Sequence, residues 1–379
     1  MTSEERHEAR YLRRKQKREE KRHAKLGKYD DFSKVSDLNS LYKAYKKSRK
    51  GVRWKASVQR YEMNYLKNIK NTHDKLENEE DVRRGFIFFD LLERGKLRHI
   101  ASVHFSERVV QRSLCDNSLV PMLSNSLIYD NGASLQGKGI DFALDRCSVF
   151  LQKHFRKYGT EGYVLSVDFS KYFENIPHEH LFKLIDENFT DEKLKNLTKK
   201  FIEAFGDKGL GIGSQISQVL AISFMNKIDH FIKEVLRVKN YIRYMDDSLF
   251  IVKTKEEAVK ILNTLRKLYA EFGIIVNERK TKIIKLSHGF TFLKTKFFVT
   301  ETGKIVKKIC HRSVVVMRRK LKKFKKLLDE GKMTYQQIVN AYESWKGYAK
   351  HKNTYKTRLN MSQLFNKLFI DNWYKPATC

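Results

Sequence analysis

Apolar residues recur at helical spacing from Asp37 to Leu76, where Leu38, Leu41, Tyr42 and Tyr45 are followed by Val58, Tyr61 and Leu66. This predicts a helical N-terminal segment. Ahead of it, residues 1–28 hold eleven basic and five acidic side chains and few apolar ones. Such a stretch cannot build a core and suits a solvated helix or an arm that orders on nucleic acid. Between Gly85 and Val110 the period shortens, and β-prone runs flank Arg94-Gly95-Lys96, which predicts a hairpin. Helical spacing returns through "VVQRSLCDNSLVPML"; a Gly-rich loop follows at "DNGASLQGKGID", and "FALDRCSVFLQKHFRKYG" is helical again.

The apolar run Tyr163 to Val167 reads as a strand with Asp168 at its end, and a helix begins after Pro177. "GLGIGSQISQVLAISFMNKIDHFIKEVL" is a Gly-rich loop feeding a long amphipathic helix. "YIRYMDDSLFIV" sets two β-prone runs about Met-Asp-Asp; then come a helix, "TKEEAVKILNTLRKLYAEFG", and short strands in "IIVNERKTKIIKL" and "GFTFLKTKFFVT". This order describes an α+β sheet with helices on one face. From Gly303 onward the character changes: residues 302–328 hold eleven Lys or Arg and no acid, with Val315, Met317, Leu321, Phe324 and Leu327 on one helix face. A separate basic helical lobe is expected there.

Composition adds size and charge to this picture. With 379 residues, 41% of them hydrophobic, the chain can bury more than one core. Its net charge of +33, from 77 Lys and Arg against 44 Asp and Glu, points to a polyanionic partner, because cations laid along phosphates release counterions. The alternatives are a basic solvated surface or attraction to a membrane surface. Cys115, Cys147, Cys310 and Cys379 include no CxxC pair, so neither a zinc site nor a disulfide framework is expected. The charged N-terminus lacks an apolar signal core and no long apolar run follows, which predicts a cytoplasmic protein with no membrane partner.

Asp246 and Asp247 are the chemical puzzle of the strand-forming stretch. Adjacent carboxylates repel and resist desolvation, so they call for a compensating cation unless they merely form a turn. If Met-Asp-Asp is the bend of a hairpin, both protrude where a metal can reach them. Asp168 ends another apolar strand about eighty residues earlier, and adjacent strands would unite the two sites. Three clustered carboxylates can hold two magnesium ions roughly 3.5 to 4 Å apart, an arrangement that serves nucleotidyl transfer or a two-metal nuclease equally well.

The motifs then carry a resemblance. "VLSVDFSKYFENIPH", "GLGIGSQISQVLAISFMNKID", "YIRYMDDSLFIV", "FGIIVNERKTKI" and "GFTFLKTKF" resemble, in order, motifs A to E of reverse transcriptases. "GKLRHIASVHFSERVVQR" and "DNGASLQGKGIDFALDR" resemble the finger segments of bacterial reverse transcriptases. The likeness covers about residues 85–355. It implies a right-hand polymerase with a helical basic N-terminal extension (1–84), fingers (85–160), a palm with finger segments (161–300), and a helical basic thumb with a C-terminal tail (301–379).

By position, the resemblance makes Asp168 and Asp246 metal ligands, with Asp247 assisting and the Phe169 backbone beside the metal and the triphosphate. Phe173 falls where the family has an aromatic gate against the sugar 2′-hydroxyl, although a core-filling ring is the alternative. Arg98 matches the finger residue that holds the incoming phosphates, with Lys96 as a second candidate and a solvated arginine as the plain reading. Lys280 lies where a lysine protonates leaving pyrophosphate; Lys282 is an equally reachable neighbour. The incoming deoxynucleotide would also meet Ile212, Gly213 and Gln218. Gly211-Ile212-Gly213 departs from the commonest Pro-Gln-Gly and is similar to diversity-generating retroelement and unclassified bacterial enzymes.

What the resemblance implies is RNA-directed DNA synthesis with two Mg2+ ions, or Mn2+ in their place, on a cognate structured noncoding RNA. Partners would be that template, a DNA product or primer, dNTPs and an accessory protein. Without a visible His/Cys endonuclease cluster, ribonuclease H segment or protease, a defence enzyme or compact retroelement is expected ahead of an intron maturase. An error-prone diversity-generating enzyme and a catalytically silent RNA-binding scaffold are the alternatives.

Overall fold

The computed structural model describes residues 3–93 and 96–370; the Arg94-Gly95 centre of the expected turn and Cys379 lie outside them. Five helices open the chain: α1 (Ser3–Tyr29), α2 (Ser33–Ser36), α3 (Leu38–Ser48), α4 (Ala56–Met63) and α5 (Tyr65–Glu77). The predicted apolar positions Leu41, Tyr45, Val58 and Tyr61 are buried. Tyr45 stacks on Tyr65 at 5.3 Å, and Tyr61 meets Phe105 edge-on at 5.0 Å. Phe105 starts α6 (Phe105–Leu114), so the N-terminal helices and α6 share one core.

The expected hairpin forms from β1 (Phe86–Glu93) and β2 (Lys96–Val103), which pair antiparallel from Phe86↔Val103 to Glu93↔Lys96 and make a sheet of their own. After α6, a π-helical turn at Cys115–Leu119 leads into α7 (Val120–Leu123), and α8 (Ile140–Tyr158) follows the Gly-rich loop.

The central sheet begins with β3 (Tyr163–Val167) and continues, after α9 (Tyr172–Asn175), α10 (His178–Asn188), α11 (Glu192–Glu203), α12 (Gln215–Phe224) and α13 (Asn226–His230), in β4 (Tyr241–Tyr244) and β5 (Asp247–Val252). Then α14 (Lys255–Glu271) leads to β6 (Lys282–Lys285), and the strands run β4-β5-β3-β6, all antiparallel. Side chains alternate between two cores. Leu165, Val167, Tyr241, Phe250 and Val252 join Ala258, Ile261 and Leu265 of α14. Val164, Ile242, Leu249 and Ile251 face Leu144, Cys147 and Leu151 of α8. The expectation of helices on one face is therefore corrected: α8, which precedes the sheet in sequence, covers the other.

Three further differences concern periodicity. The long helix expected after the Gly-rich loop breaks at Met225 into α12 and α13 and ends in a π-helical turn at Phe231–Val235. The strand expected from Ile274 is confined to β6, because residues 274–281 instead form a loop bridged to Phe169 through Val276. A small sheet holds β7 (Phe290–Phe292), β8 (Thr295–Val299) and β9 (Ile305–Ile309), and β9 lies where helix alone was expected.

The chain closes in α15 (His311–Asp329), α16 (Tyr335–Lys350) and α17 (Tyr355–Phe369), around a core of their own. The buried stripe of α15 runs Val314, Met317, Leu321, with Phe324 and Leu328 packed against it, so Val315 and Leu327 are not its members. Trp345 is buried in this core and its indole N–H donates to Ser313 Oγ at 3.3 Å. Among the described residues no helix is long and apolar enough to cross a membrane. The helix-flanked antiparallel sheet bears out the α+β expectation.

Candidate active site

The β3–β5 register pairs Val167 with Ser248, and one step further it sets Asp168 level with Asp247. Asp247 opens β5 opposite Tyr244, leaving Met245 and Asp246 as a two-residue hairpin turn. The expectation that both aspartates sit on the bend is thus half right. Met245 has φ +54, a region a non-glycine residue enters at some cost in strain.

Asp168 is 8% exposed and heavily bonded. Lys280 Nζ donates to both its carboxylate oxygens, at 2.9 and 3.0 Å, and Asn277 Nδ2 donates to Oδ1 at 3.0 Å. The loop that supplies them is stitched to β3 by Asn277 N–H to Asp168 C=O and Ser170 N–H to Ile275 C=O, both 2.8 Å. Those two bonds flank the Phe169–Val276 bridge, so in this antiparallel pattern Phe169 turns its own N–H and C=O away from the loop. The Phe169 ring is buried against Tyr269 at 4.9 Å.

The carboxylates feel one another. Burial first, then the charges of Asp246 and Asp168, push the Asp247 carboxyl up to about 7, against the pull of Lys280 and Lys294. The hydrogen bond to Asp168 holds the Lys280 ammonium above its ordinary pKa, against partial burial. Among the described residues no three His, Cys, Asp or Glu side chains are grouped so that they could by themselves hold a metal ion. The donor set nevertheless suits a hard divalent cation, being all carboxylate oxygen, with a lysine ammonium as the cation now seated on Asp168. Lys282, the neighbour weighed beside Lys280, is the exposed first residue of β6.

The second group of expected residues surrounds the Gly-rich loop. Phe173 is half-buried, with its ring edge-on to Tyr172 at 5.8 Å, and its carbonyl accepts from Leu210 N–H at 2.7 Å. That bond hangs the loop carrying Ile212 and Gly213 beside α9. Gly213, at φ +111, is exposed, and a Cβ there would lie 3.8 Å from Ile100 of β2. Exposed Gln218 accepts from Ser134 Oγ at 3.4 Å. Ser214 caps α12 and donates to buried Gln111 at 2.9 Å, which fixes the loop from below. Arg98 stands on β2 opposite Leu91 and Lys96 opposite Glu93; both side chains lie outside the described residues.

Sequence reasoning missed the groups that hold the turn. Arg243 and Asp229 are both fully buried and paired, with Arg243 NH2 to Asp229 Oδ2 at 2.6 Å and Nε to Oδ1 at 2.9 Å. Arg243 also donates to the Met245 carbonyl at 3.2 Å and the Ile222 carbonyl at 3.0 Å, and Tyr241 donates its hydroxyl to Asp229 at 2.7 Å. One guanidinium thereby ties the hairpin turn to α12 and α13. The signal was an arginine inside an apolar strand, which demands a buried partner.

A family model described as reverse transcriptase (RNA-dependent DNA polymerase) matches residues 90–297, more than half of the chain. A curated relative from Saccharomyces cerevisiae, described as a putative COX1/OXI3 intron 2 protein, is 27% identical over 223 residues, which is 52% of this chain and 24% of that protein. The chain spans about a quarter of that relative's length. Similar solved structures include apo telomerase from Candida tropicalis, with TM-score 0.47 and 14% identity over 80% of this chain and 64% of that one. Telomerase from Candida albicans in complex with a TWJ fragment of telomeric RNA gives TM-score 0.48 and 12% identity over 76% of this chain and 55% of that one.

Proposed function

The chain belongs to the reverse transcriptase (RNA-dependent DNA polymerase) family, and from that premise we propose that it extends a DNA strand on an RNA template at the Asp168, Asp246 and Asp247 cluster. The observation that carries this is the level placement of Asp168 and Asp247 across the β3–β5 ladder, with Lys280 bonded to Asp168. Asp168, Asp246, Asp247 and the Phe169 carbonyl would hold Mg2+, or Mn2+ in its place. Bound there, the divalent cations supply a more acidic primer hydroxyl and offset charge on the phosphates.

The rest belongs to the protein's own groups. The primer 3′-oxygen bonds to the α-phosphorus as the bridging P–O bond to the β-phosphate breaks; the hydroxyl proton goes to solvent and pyrophosphate leaves. Lys280, kept protonated by Asp168, can transfer a proton to that leaving group. Phe173 meets the sugar edge, and Ile212, Gly213 and Gln218 lie beside the base pair, with Arg98 on the phosphates.

The template proposed is a cognate structured noncoding RNA, read by shape and backbone contacts, in a cytoplasmic defence system or retroelement. An accessory protein would complete the assembly. The yeast relative is described as an intron protein, so an intron RNA joins the template classes to be tested. The motif B residues Gly211-Ile212-Gly213 favour a second reading, error-prone synthesis, which a misincorporation assay on all four template bases decides. The primary test is primer extension on RNA with each dNTP and Mg2+. Products that disappear in Asp246→Ala, Asp247→Ala support the proposal, and products of equal yield in that variant overturn it.

A further inference from the structure

A second concave site lies away from the carboxylates and shares no residue with them. Where α4 and α5 meet the Asp81–Arg84 segment and the start of α6, a cavity of 390 Å³ is lined by Arg60, Tyr61, Lys75, Arg84, His104 and Ser106, among others. Its one acid, Asp81, is already taken: Arg83 Nε reaches both carboxylate oxygens at 3.0 Å and NH2 reaches Oδ2 at 2.8 Å. Among the described residues Arg60, Lys75 and Arg84 have no carboxylate within ion-pair distance. Burial, then the charges of Arg84 and Arg60, pull the His104 pKa down, which places both guanidiniums near that ring.

Two further features converge on the cavity. His104 is the N-cap of the ten-residue α6 and its ring accepts from the Ser106 N–H at 3.4 Å, so the positive end of the helix dipole lies at the cavity with that amide already capped. Tyr61 is 5% exposed, yet its hydroxyl has no partner that meets hydrogen-bond geometry. Thr72 beside it gives its own proton to the Asn68 carbonyl at 2.7 Å. Thr72 Oγ1 keeps a lone pair turned to the Tyr61 hydroxyl, so this buried pair forms the floor of the cavity beneath the cations. Just ahead of α4, Trp54 is 74% exposed, three residues before Ser57 in the cavity wall. An exposed indole gives an unpaired base a stacking surface, which a free phosphate would not use.

We infer that this cavity seats a backbone phosphate of a single nucleic-acid strand, held by Arg60, Lys75 and Arg84, with Trp54 stacking on a neighbouring base. The inference rests on the polymerase reading only for the ligand being nucleic acid, and its test needs no synthesis. The full-length protein is titrated with a fluorescein-labelled single-stranded uridine dodecamer at several salt concentrations, without dNTPs. Arg60→Gln, Lys75→Gln, Arg84→Gln together are expected to weaken binding about tenfold or more and to flatten the log–log salt slope by about 0.7 for every phosphate no longer neutralised. The matched control is Lys255→Gln, Lys260→Gln, Lys267→Gln on the exposed face of α14, which carries the same charge change and is expected to cost less than about threefold.

Equal losses in the two triple variants would overturn the inference by reducing the effect to net charge. Thermal stabilisation by inorganic phosphate, with oligonucleotide affinity unchanged in the cavity variant, would also overturn it and leave a small-anion site. Because extension on RNA is read separately, its failure would leave these binding outcomes intact.

Discussion

Phe173 is half-buried, its ring edge-on to Tyr172 and its backbone carbonyl bonded to the Leu210 amide, so part of the ring is committed to packing and part is left accessible. Packing and gating are therefore compatible in one side chain, and the two readings open in the sequence need not compete. Phe173→Ala is expected to reduce discrimination against ribonucleotides by about 10- to 100-fold, read as the ratio of kcat/KM for dNTP over rNTP, since excluding a hydroxyl by shape alone is a limited device. Arg243 is the opposite case, a residue inside the strand motif to which the sequence assigns no role. In a chain with 77 Lys and Arg an arginine reads as surface, and Asp229 reads as the polar side of a helix. Only the folded chain joins them. Arg243→Ala leaves Asp229 buried without its cation and is expected to cost about 3–5 kcal/mol in denaturant unfolding. Arg243→Lys keeps the charge and loses the fork to Met245 and Ile222, so it should retain more stability than Arg243→Ala while slowing extension.

At the scale of elements, the strands with apolar runs were legible and those without were not. β3 and β5 are buried almost throughout, and their sequences say so. β9 reads Ile-Val-Lys-Lys-Ile within a basic stretch, and its pairing with β8 is what makes it a strand. The loop 274–281 looked like a strand because it is apolar at Ile274, Ile275 and Val276, yet its work is to carry Asn277 and Lys280 onto Asp168. The Gly-rich loop makes a sharper demand. Gly209 has φ +86, its N–H donates to the Ile176 carbonyl at 2.8 Å, and a Cβ would lie 2.7 Å from the Glu174 carbonyl oxygen. Gly209→Ala must shift backbone against backbone, so it is expected to destabilise by about 1–3 kcal/mol and to reduce extension by displacing Ile212 and Gly213.

For the whole molecule, three packed bodies meet the excess of positive charge differently. The central sheet surrounds its carboxylates with a lysine and buried ion pairs, whereas α15 exposes Arg318, Arg319, Lys320, Lys322 and Lys323 beside its narrow apolar stripe. The charge was legible from composition, but its distribution was not, because the true stripe starts at Val314 and rotates the helix from the expected face. If α15 lies along a nucleic-acid duplex, Lys320→Gln, Lys322→Gln, Lys323→Gln are expected to weaken duplex binding uniformly across sequences. The log–log salt slope should fall by about 0.9 for each phosphate that these lysines neutralise, as measured by fluorescence anisotropy. The most direct test of the central claim is to purify the protein with the RNA it retains, supply Mg2+ and dNTPs, and sequence both the RNA and the labelled product. The account predicts DNA complementary to a retained RNA, absent when Asp246→Ala, Asp247→Ala protein carries the same RNA. Retained RNA with no DNA made by the unaltered protein, even when primer is added, would contradict it.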